Sequence, residues 1–193
     1  TKNARRVLID GNLFENCWPE AQVGFAILLK SNNQDSTAPW PVTQDLTFSN
    51  NIVRNTEHGL NILAVEVPPK TSGIAKNLRI INNYWDVQKI WYQGSNGAQN
   101  LVFEHNTFFS RDGNTANFYG LVTQGFVFRN NLGVRAGYGM KGDGTGEGIA
   151  ALNAFCPGWI FDRNVIVGAS ASSYPANNFY PATLGQVGFV DLS

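Results

Sequence analysis

The chain has 193 residues, enough for one full domain, and its 14 Lys and Arg balance 14 Asp and Glu, so the formal net charge is zero. Without a basic excess, neither a nucleic-acid backbone nor an anionic membrane is expected as the main partner. A hydrophobic content of 43% excludes a disordered chain, while 23 Asn and 20 Gly favour a β-rich fold with many tight turns.

One short pattern, apolar-x-apolar-x-x-Asn, occurs six times along the chain. Its first example is Val7-Leu8-Ile9-Asp10-Gly11-Asn12. Alternation with period two places the two apolar residues on the same face of a strand, and Asn suits the bend that follows because it tolerates the left-handed conformation. The six repeats end at the asparagines Asn12, Asn51, Asn83, Asn106, Asn131 and Asn164.

A third short strand is predicted in several of these repeats. Residues 24–28 and 59–63 share a pattern, and residues 89–93 and 118–122 fill the same place in the next two units. Three strands per repeat predict an all-β, right-handed parallel β-helix of about six to seven coils with a ladder of stacked asparagines. A β-sandwich is the alternative, but it gives no reason for six bends with the same residue in the same frame. The coils span about 7–167, and 168–193 form a C-terminal extension of one domain.

The repeats from Val7 to about Val167 resemble the coils of the pectin-lyase-like superfamily of right-handed parallel β-helix proteins, which includes uncharacterised bacterial members. The resemblance implies a secreted or periplasmic protein with a substrate groove along the third strand. Because the first repeat begins almost at residue 1 and the chain stops soon after the phrase Val187–Asp191, we expect a piece of a longer protein. Open coil ends would otherwise favour a homo-oligomer, since an exposed edge strand invites association.

In that family groove, the resemblance implies an acid pair, Glu57 and Asp112, as candidate catalytic residues. The candidate contacts with a polysaccharide are His58, Asn61, Lys89, Trp91 and Arg111. One carboxyl group as acid and one as base would suit glycoside hydrolysis. The chain reproduces neither the lyase nor the hydrolase motifs of the superfamily, so whether it is an enzyme stays open; as an enzyme it would be a polysaccharide lyase or a glycoside hydrolase.

Other ligands have weaker support in the sequence. No His or Cys pair stands at metal-ligand spacing, so no metal or other cofactor is expected. The Gly-rich segment 141–148 is a loop in the simplest interpretation, with a loose Ca²⁺ site at Asp143 and Glu147 as the alternative. Cys17 and Cys156 belong to coils too far apart for a disulfide. The exposed aromatic candidates for sugar stacking are Trp18, Trp40, Trp91, Tyr119 and Tyr138.

Two hypotheses of function remain. The first is a carbohydrate-interacting module that binds or processes a polysaccharide along one face of the solenoid. The second is a non-catalytic structural or adhesive β-helix whose coils only present loops. An acidic cluster in a deep groove on the third sheet would favour the first hypothesis, and flat or covered faces would favour the second.

Overall fold

The computed structural model describes residues 1–17, 20 and 24–189. The first five coils each contribute one strand to each of three parallel sheets, and the sixth coil contributes a strand to the first and second sheets. The first sheet contains β1 Arg5–Asp10, β4 Gln44–Ser49, β7 Lys76–Ile81, β10 Gln99–Glu104, β13 Gln124–Arg129 and β16 Ile160–Asp162. The second contains β2 Leu13–Glu15, β5 Ile52–Thr56, β8 Tyr84–Val87, β11 Thr107–Ser110, β14 Leu132–Val134 and β17 Val165–Val167. The third contains β3 Phe25–Lys30, β6 His58–Leu63, β9 Tyr92–Ser95, β12 Ala116–Tyr119 and β15 Met140–Gly142.

Neighbouring coils are stacked with equivalent residues in register. Leu46 pairs with Leu78, Leu78 with Leu101, and Leu101 with Phe126, and all four side chains are buried inside the coil. The intervening residues of these strands face outward, as period-two alternation requires. The predicted parallel β-helix of about six coils is therefore confirmed.

The asparagine ladder is also confirmed, and it has one more rung than the repeats predict. The Asn83 side chain donates to Asn106 Oδ1 over 3.0 Å, and the Asn83 backbone N–H donates to the same oxygen over 3.1 Å. The same double contact joins the other ladder asparagines in turn. Asn178 accepts it from Asn164 over 2.8 and 2.9 Å, so Asn178 is a seventh rung.

The left-handed bend lies one position earlier than the sequence pattern predicts. The residues with positive φ are those immediately before each ladder asparagine, not the asparagines themselves. They are Gly11, Asn50, Asn82, His105, Asn130 and Arg163, with φ between 54° and 67°. The ladder asparagine is free to turn its amide inward because its predecessor makes the bend.

Aromatic rings fill the middle of the coil. The rings of Trp91 and Phe108 are stacked, with centroids 4.1 Å apart and planes 7° apart. Gly133 follows Phe108 in the second sheet, and a methyl group at Gly133 would lie 2.0 Å from the Phe108 ring. Glycine thus replaces the apolar residue found at the inward position of the other second-sheet strands because the Phe108 ring already fills that space.

Within the described residues, further chain packs on the sixth coil at the C-terminal side of the solenoid. The predicted Gly-rich loop is present over 143–148, between strand β15, which includes its first two residues, and helix α1 (Ile149–Phe155), which packs against β15 and β12. Phe179 forms a parallel bridge with Val165, and its backbone accepts from Ile166 over 3.0 Å. Residues 174–181 therefore form part of a seventh coil over the sixth.

The two cysteines and the helices of the described chain complete the description of the fold. Cys17 is exposed, Cys156 is buried, and neither forms a disulfide. Burial raises the pKa of the Cys156 thiol to about 12. None of the helices in the described ranges combines the length and the apolar character needed to cross a bilayer.

Candidate functional site

The structure brings three of the sequence-predicted groove residues together at the turn between the second and third sheets. Glu57 Oε1 and Lys89 Nζ form an ion pair at 2.5 Å, and the Lys89 backbone N–H donates to the Glu57 carbonyl. Asp112 lies on the next coil, where its N–H donates to the carbonyl of Gln88. The hydrogen bond and charge of Glu57, followed by the charge of Asp112, raise the pKa of Lys89. The cluster is a charge network centred on lysine.

Glu57 and Asp112, the predicted acid pair, each have another partner in the structure. The two residues lie two rungs apart, about 9.6 Å along the solenoid. The carboxyl groups of a retaining glycosidase lie about 5–5.5 Å apart, and those of an inverting one about 6.5–9.5 Å apart with room for water. Here the Lys89 ammonium contacts Glu57, while Asp112 accepts from the N–H of Gly113 over 2.6 Å.

His58 supports the start of the third sheet. Its ring packs on Phe25 with centroids 4.8 Å apart, and its Nδ1 accepts from the N–H of Ile90 over 3.3 Å. Burial, the largest cause, lowers the pKa of His58, partly offset by the Glu57 charge. A lowered pKa favours the neutral ring, whose hydrogen is then on Nε2 because Nδ1 accepts a hydrogen bond.

Two of the predicted contact residues lie elsewhere. Trp91 is completely buried against Phe108, so its prediction as an outward, sugar-binding residue is wrong. The third strands align two residues away from the alignment expected from sequence: Ile27 pairs with Leu60, not with Ile62. Arg111 turns to the second sheet, where it binds Asp86 in a bidentate ion pair at 2.7 and 2.8 Å.

The outward residues of the third sheet form a polar column, which we call the amide face. Register pairs Asn61 with Gln93, Gln93 with Asn117, and Asn117 with Lys141. Asn61 is 6% exposed, and the other three are partly exposed. Each amide carries donors and acceptors, so the face repeats the same hydrogen-bonding groups on successive rungs about 4.8 Å apart.

A pocket of about 410 Å³ opens at the end of the amide face. Its walls carry the side chains of Asn114, Asn117, Tyr119, Lys141 and Asp143. Lys141 Nζ also lies 4.9 Å from the centroid of the exposed Tyr138 ring. One tyrosine, two amides and one pair of opposite charges therefore line a concave surface, and a second tyrosine lies beside it. Trp40, the aromatic in the longest loop, is 71% exposed, while Trp18 lies outside the described residues.

The two residues predicted as a loose Ca²⁺ site face different neighbours. Glu147 binds Arg135 Nε at 2.9 Å, and the hydroxyl of Tyr174 donates to it over 3.3 Å. Asp143 is exposed beside the pocket. Within the described ranges, no group of three or more His, Cys, Asp or Glu is placed to hold a metal ion.

Most of the amide face was missed at the level of sequence, although a signal exists. Asn61, Gln93, Asn117 and Lys141 follow the ladder asparagine of their coils by ten, ten, eleven and ten residues. A count of ten residues from the ladder asparagine aligns β6, β9 and β15, whereas β12 lies one residue further along the chain. Matching Gly24 with Gly59 instead moved the expected register by two residues, which preserves the inward face but assigns the wrong neighbours.

The chain matches no protein-family model, and comparisons with curated proteins and with solved structures likewise give no match.

Proposed function

We propose that the protein is a non-catalytic carbohydrate-binding β-helix module and that its amide face holds an extended polysaccharide along the solenoid axis. The observation that carries the proposal is the column from Asn61 to Lys141, which ends in the tyrosine-lined pocket. Amide donors and acceptors repeated on three successive rungs, followed by the Lys141 ammonium, suit a polymer whose hydroxyl groups also repeat. The pectin-lyase-like resemblance of the coils supports the same face, because that superfamily binds polysaccharides along its third strands.

Binding is favoured over catalysis by the state of the carboxylates. Glu57 forms an ion pair with Lys89, and Glu147 with Arg135, so each carboxylate already has a cationic partner. A general acid or base must reach the reacting group with a free oxygen. The aromatic and amide groups need no such freedom: tyrosine rings pack on the C–H faces of sugars while amides bind the hydroxyls.

The test combines a glycan array of neutral and acidic polysaccharides with affinity electrophoresis on the polymers that bind. Lys141→Ala and Asn117→Ala should each weaken binding about tenfold, equivalent to about 1.4 kcal/mol. The matched controls are Arg79→Ala, which removes a cation from the outward side of the first sheet, and Asn177→Ala, which removes an exposed amide near the C-terminal end. Both controls should bind like the unchanged protein.

A reducing-end assay and an unsaturated-product assay on the same polymers separate binding from catalysis. We expect no release of products. If products form, the protein is an enzyme, and the Glu57 cluster is to be reconsidered. If no polysaccharide binds, the carbohydrate proposal fails, and the structural or adhesive alternative takes its place.

A further inference from the structure

A second concave surface lies on the outward side of the second sheet, away from the amide face. The chain returns along this sheet in residues 182–189, here called the strap, which includes a 3-10 helix at Leu184–Val187. Between strap and sheet is a groove of about 930 Å³, lined in part by Leu184 and Phe189. This volume lies within the range of about 300–1,000 Å³ typical of ligand sites.

The middle of the groove is aromatic and aliphatic. Tyr84 and Phe109 come from adjacent strands, and their ring centroids are 6.0 Å apart with planes inclined at 55°. Tyr84 is 39% exposed and Phe189, on the opposite wall, 40% exposed. Burial, followed by the charge of Asp86, raises the pKa of Tyr84, so its hydroxyl stays a hydrogen-bond donor at neutral pH.

One side of the groove carries charges that already neutralise each other. Arg111 holds both oxygens of Asp86, and Arg54 Nε binds Glu15 at 2.7 Å. A charged ligand would have to displace one partner of an existing pair. A ligand with hydroxyl groups can instead use the guanidinium N–H groups and carboxylate lone pairs that the pairs leave free, because each group has more than one bonding position.

We propose that the second-sheet groove binds a short neutral saccharide, with C–H faces on Tyr84 and Phe109 and hydroxyl groups on Asp86 and Arg111. The aromatic rings supply the apolar contact, and the compensated ion pairs select against acidic sugars. The site is separate from the amide face and does not depend on that proposed function. Its occupant is a short saccharide because the groove is bounded, with a volume of about 930 Å³.

The experiment is a calorimetric titration with cellohexaose, maltohexaose and xylohexaose, and with hexagalacturonate as the acidic counterpart. At least one neutral hexasaccharide should bind, and hexagalacturonate should bind at least about tenfold more weakly. Tyr84→Ala should weaken binding at least about tenfold, whereas Tyr84→Phe, which keeps the ring, should stay within about threefold. Asp86→Asn should also weaken binding, since it frees Arg111 and removes a carboxylate acceptor.

Control variants distinguish binding in this groove from binding on the amide face and from loss of folding. Lys141→Ala and Asn117→Ala should leave hexasaccharide binding in the groove unchanged, and Tyr84→Ala should leave polysaccharide binding on the amide face unchanged. Tyr84→Phe serves as the folded reference, checked by its thermal midpoint. The proposal is overturned if no neutral hexasaccharide binds at about 10 mM, if hexagalacturonate binds better than all of them, or if Tyr84→Ala binds as the unchanged protein does.

Discussion

A ladder asparagine serves two rungs of the solenoid at the same time. Asn106 Oδ1 accepts from Asn83, while its Nδ2 donates to the carbonyl of Ile80 over 2.8 Å and to Asn131 Oδ1 over 3.0 Å. All of these groups are buried, where an unpaired polar group costs about 1–3 kcal/mol. The residue before it, His105, carries the left-handed strain. The left-handed bend and the ladder hydrogen bonds are therefore made by two neighbouring residues and not by the same one.

Replacing Asn106 by Leu should lower the free energy of unfolding by about 2–5 kcal/mol, because at least the Asn83 N–H and the Ile80 carbonyl lose their partners. For a chain of this size, each kcal/mol lowers the midpoint by about 2–4 °C, so thermal melts followed by circular dichroism suffice. Asn177→Ala, at an exposed position, is the reference and should stay within about 0.5 kcal/mol. Equal midpoints for the two variants would show that the ladder bonds do not stabilise the fold.

At the scale of strands, the interior depends on a few fixed contacts between coils. The Phe108 ring lies flat against Trp91 and occupies the space where the next strand has Gly133. Well-packed interiors do not accept an extra methyl group unless a neighbour can move. The stacked tryptophan prevents Phe108 from moving.

Gly133→Ala should destabilise the protein by about 1–3 kcal/mol, because its new methyl group would lie 2.0 Å from the Phe108 ring. Gly146→Ala is the matched control: its nearest heavy atom is 3.7 Å away, in ordinary contact distance. The double variant Phe108→Leu with Gly133→Ala tests whether the clash with the ring is the cause. Its loss of stability, measured by urea denaturation, should be smaller than the sum of the losses in the two single variants. Additive effects would mean that the ring and the methyl group do not meet.

The sequence predicts the strands and the ladder well because one geometric unit is repeated six times. The inward pair Leu101 and Phe103, the bend and Asn106 lie at fixed spacing, so each copy supports the others. The third strand was harder to align because the loops before it vary in length, and a shift of two residues leaves the buried face unchanged. Trp91 was misplaced because it lies in the bend before β9, where the alternation of the strand does not apply. Helix α1 lacks repeat partners, and no capping side chain marks its beginning at Gly148.

The two ends of the solenoid differ in how well their last strands are packed. At the C-terminal end, Asn178 closes the ladder, Phe179 pairs with β17, and the carbonyl of Phe155 accepts from Thr123 beside α1. At the other end, β1 and β2 lie at the edges of their sheets, and the inward side chains of Val7, Ile9 and Phe14 are only partly buried. Because each coil contacts only its neighbours, stability is a sum of local terms, and the ends should open before the middle.

Asn178→Leu should therefore act locally rather than on the whole molecule. It removes the acceptor of the Asn164 amide and N–H, so the free energy of opening the last coil should fall by about 1–3 kcal/mol. In hydrogen–deuterium exchange followed by mass spectrometry, amides of β16 and β17 should exchange about 5–150-fold faster, while those of β7 and β10 should keep their rates. Asn177→Ala, one residue earlier in the chain, should leave both regions unchanged. A uniform rise in exchange across all coils would contradict the prediction, because it would make the solenoid a single cooperative unit in which the seventh rung protects every coil equally.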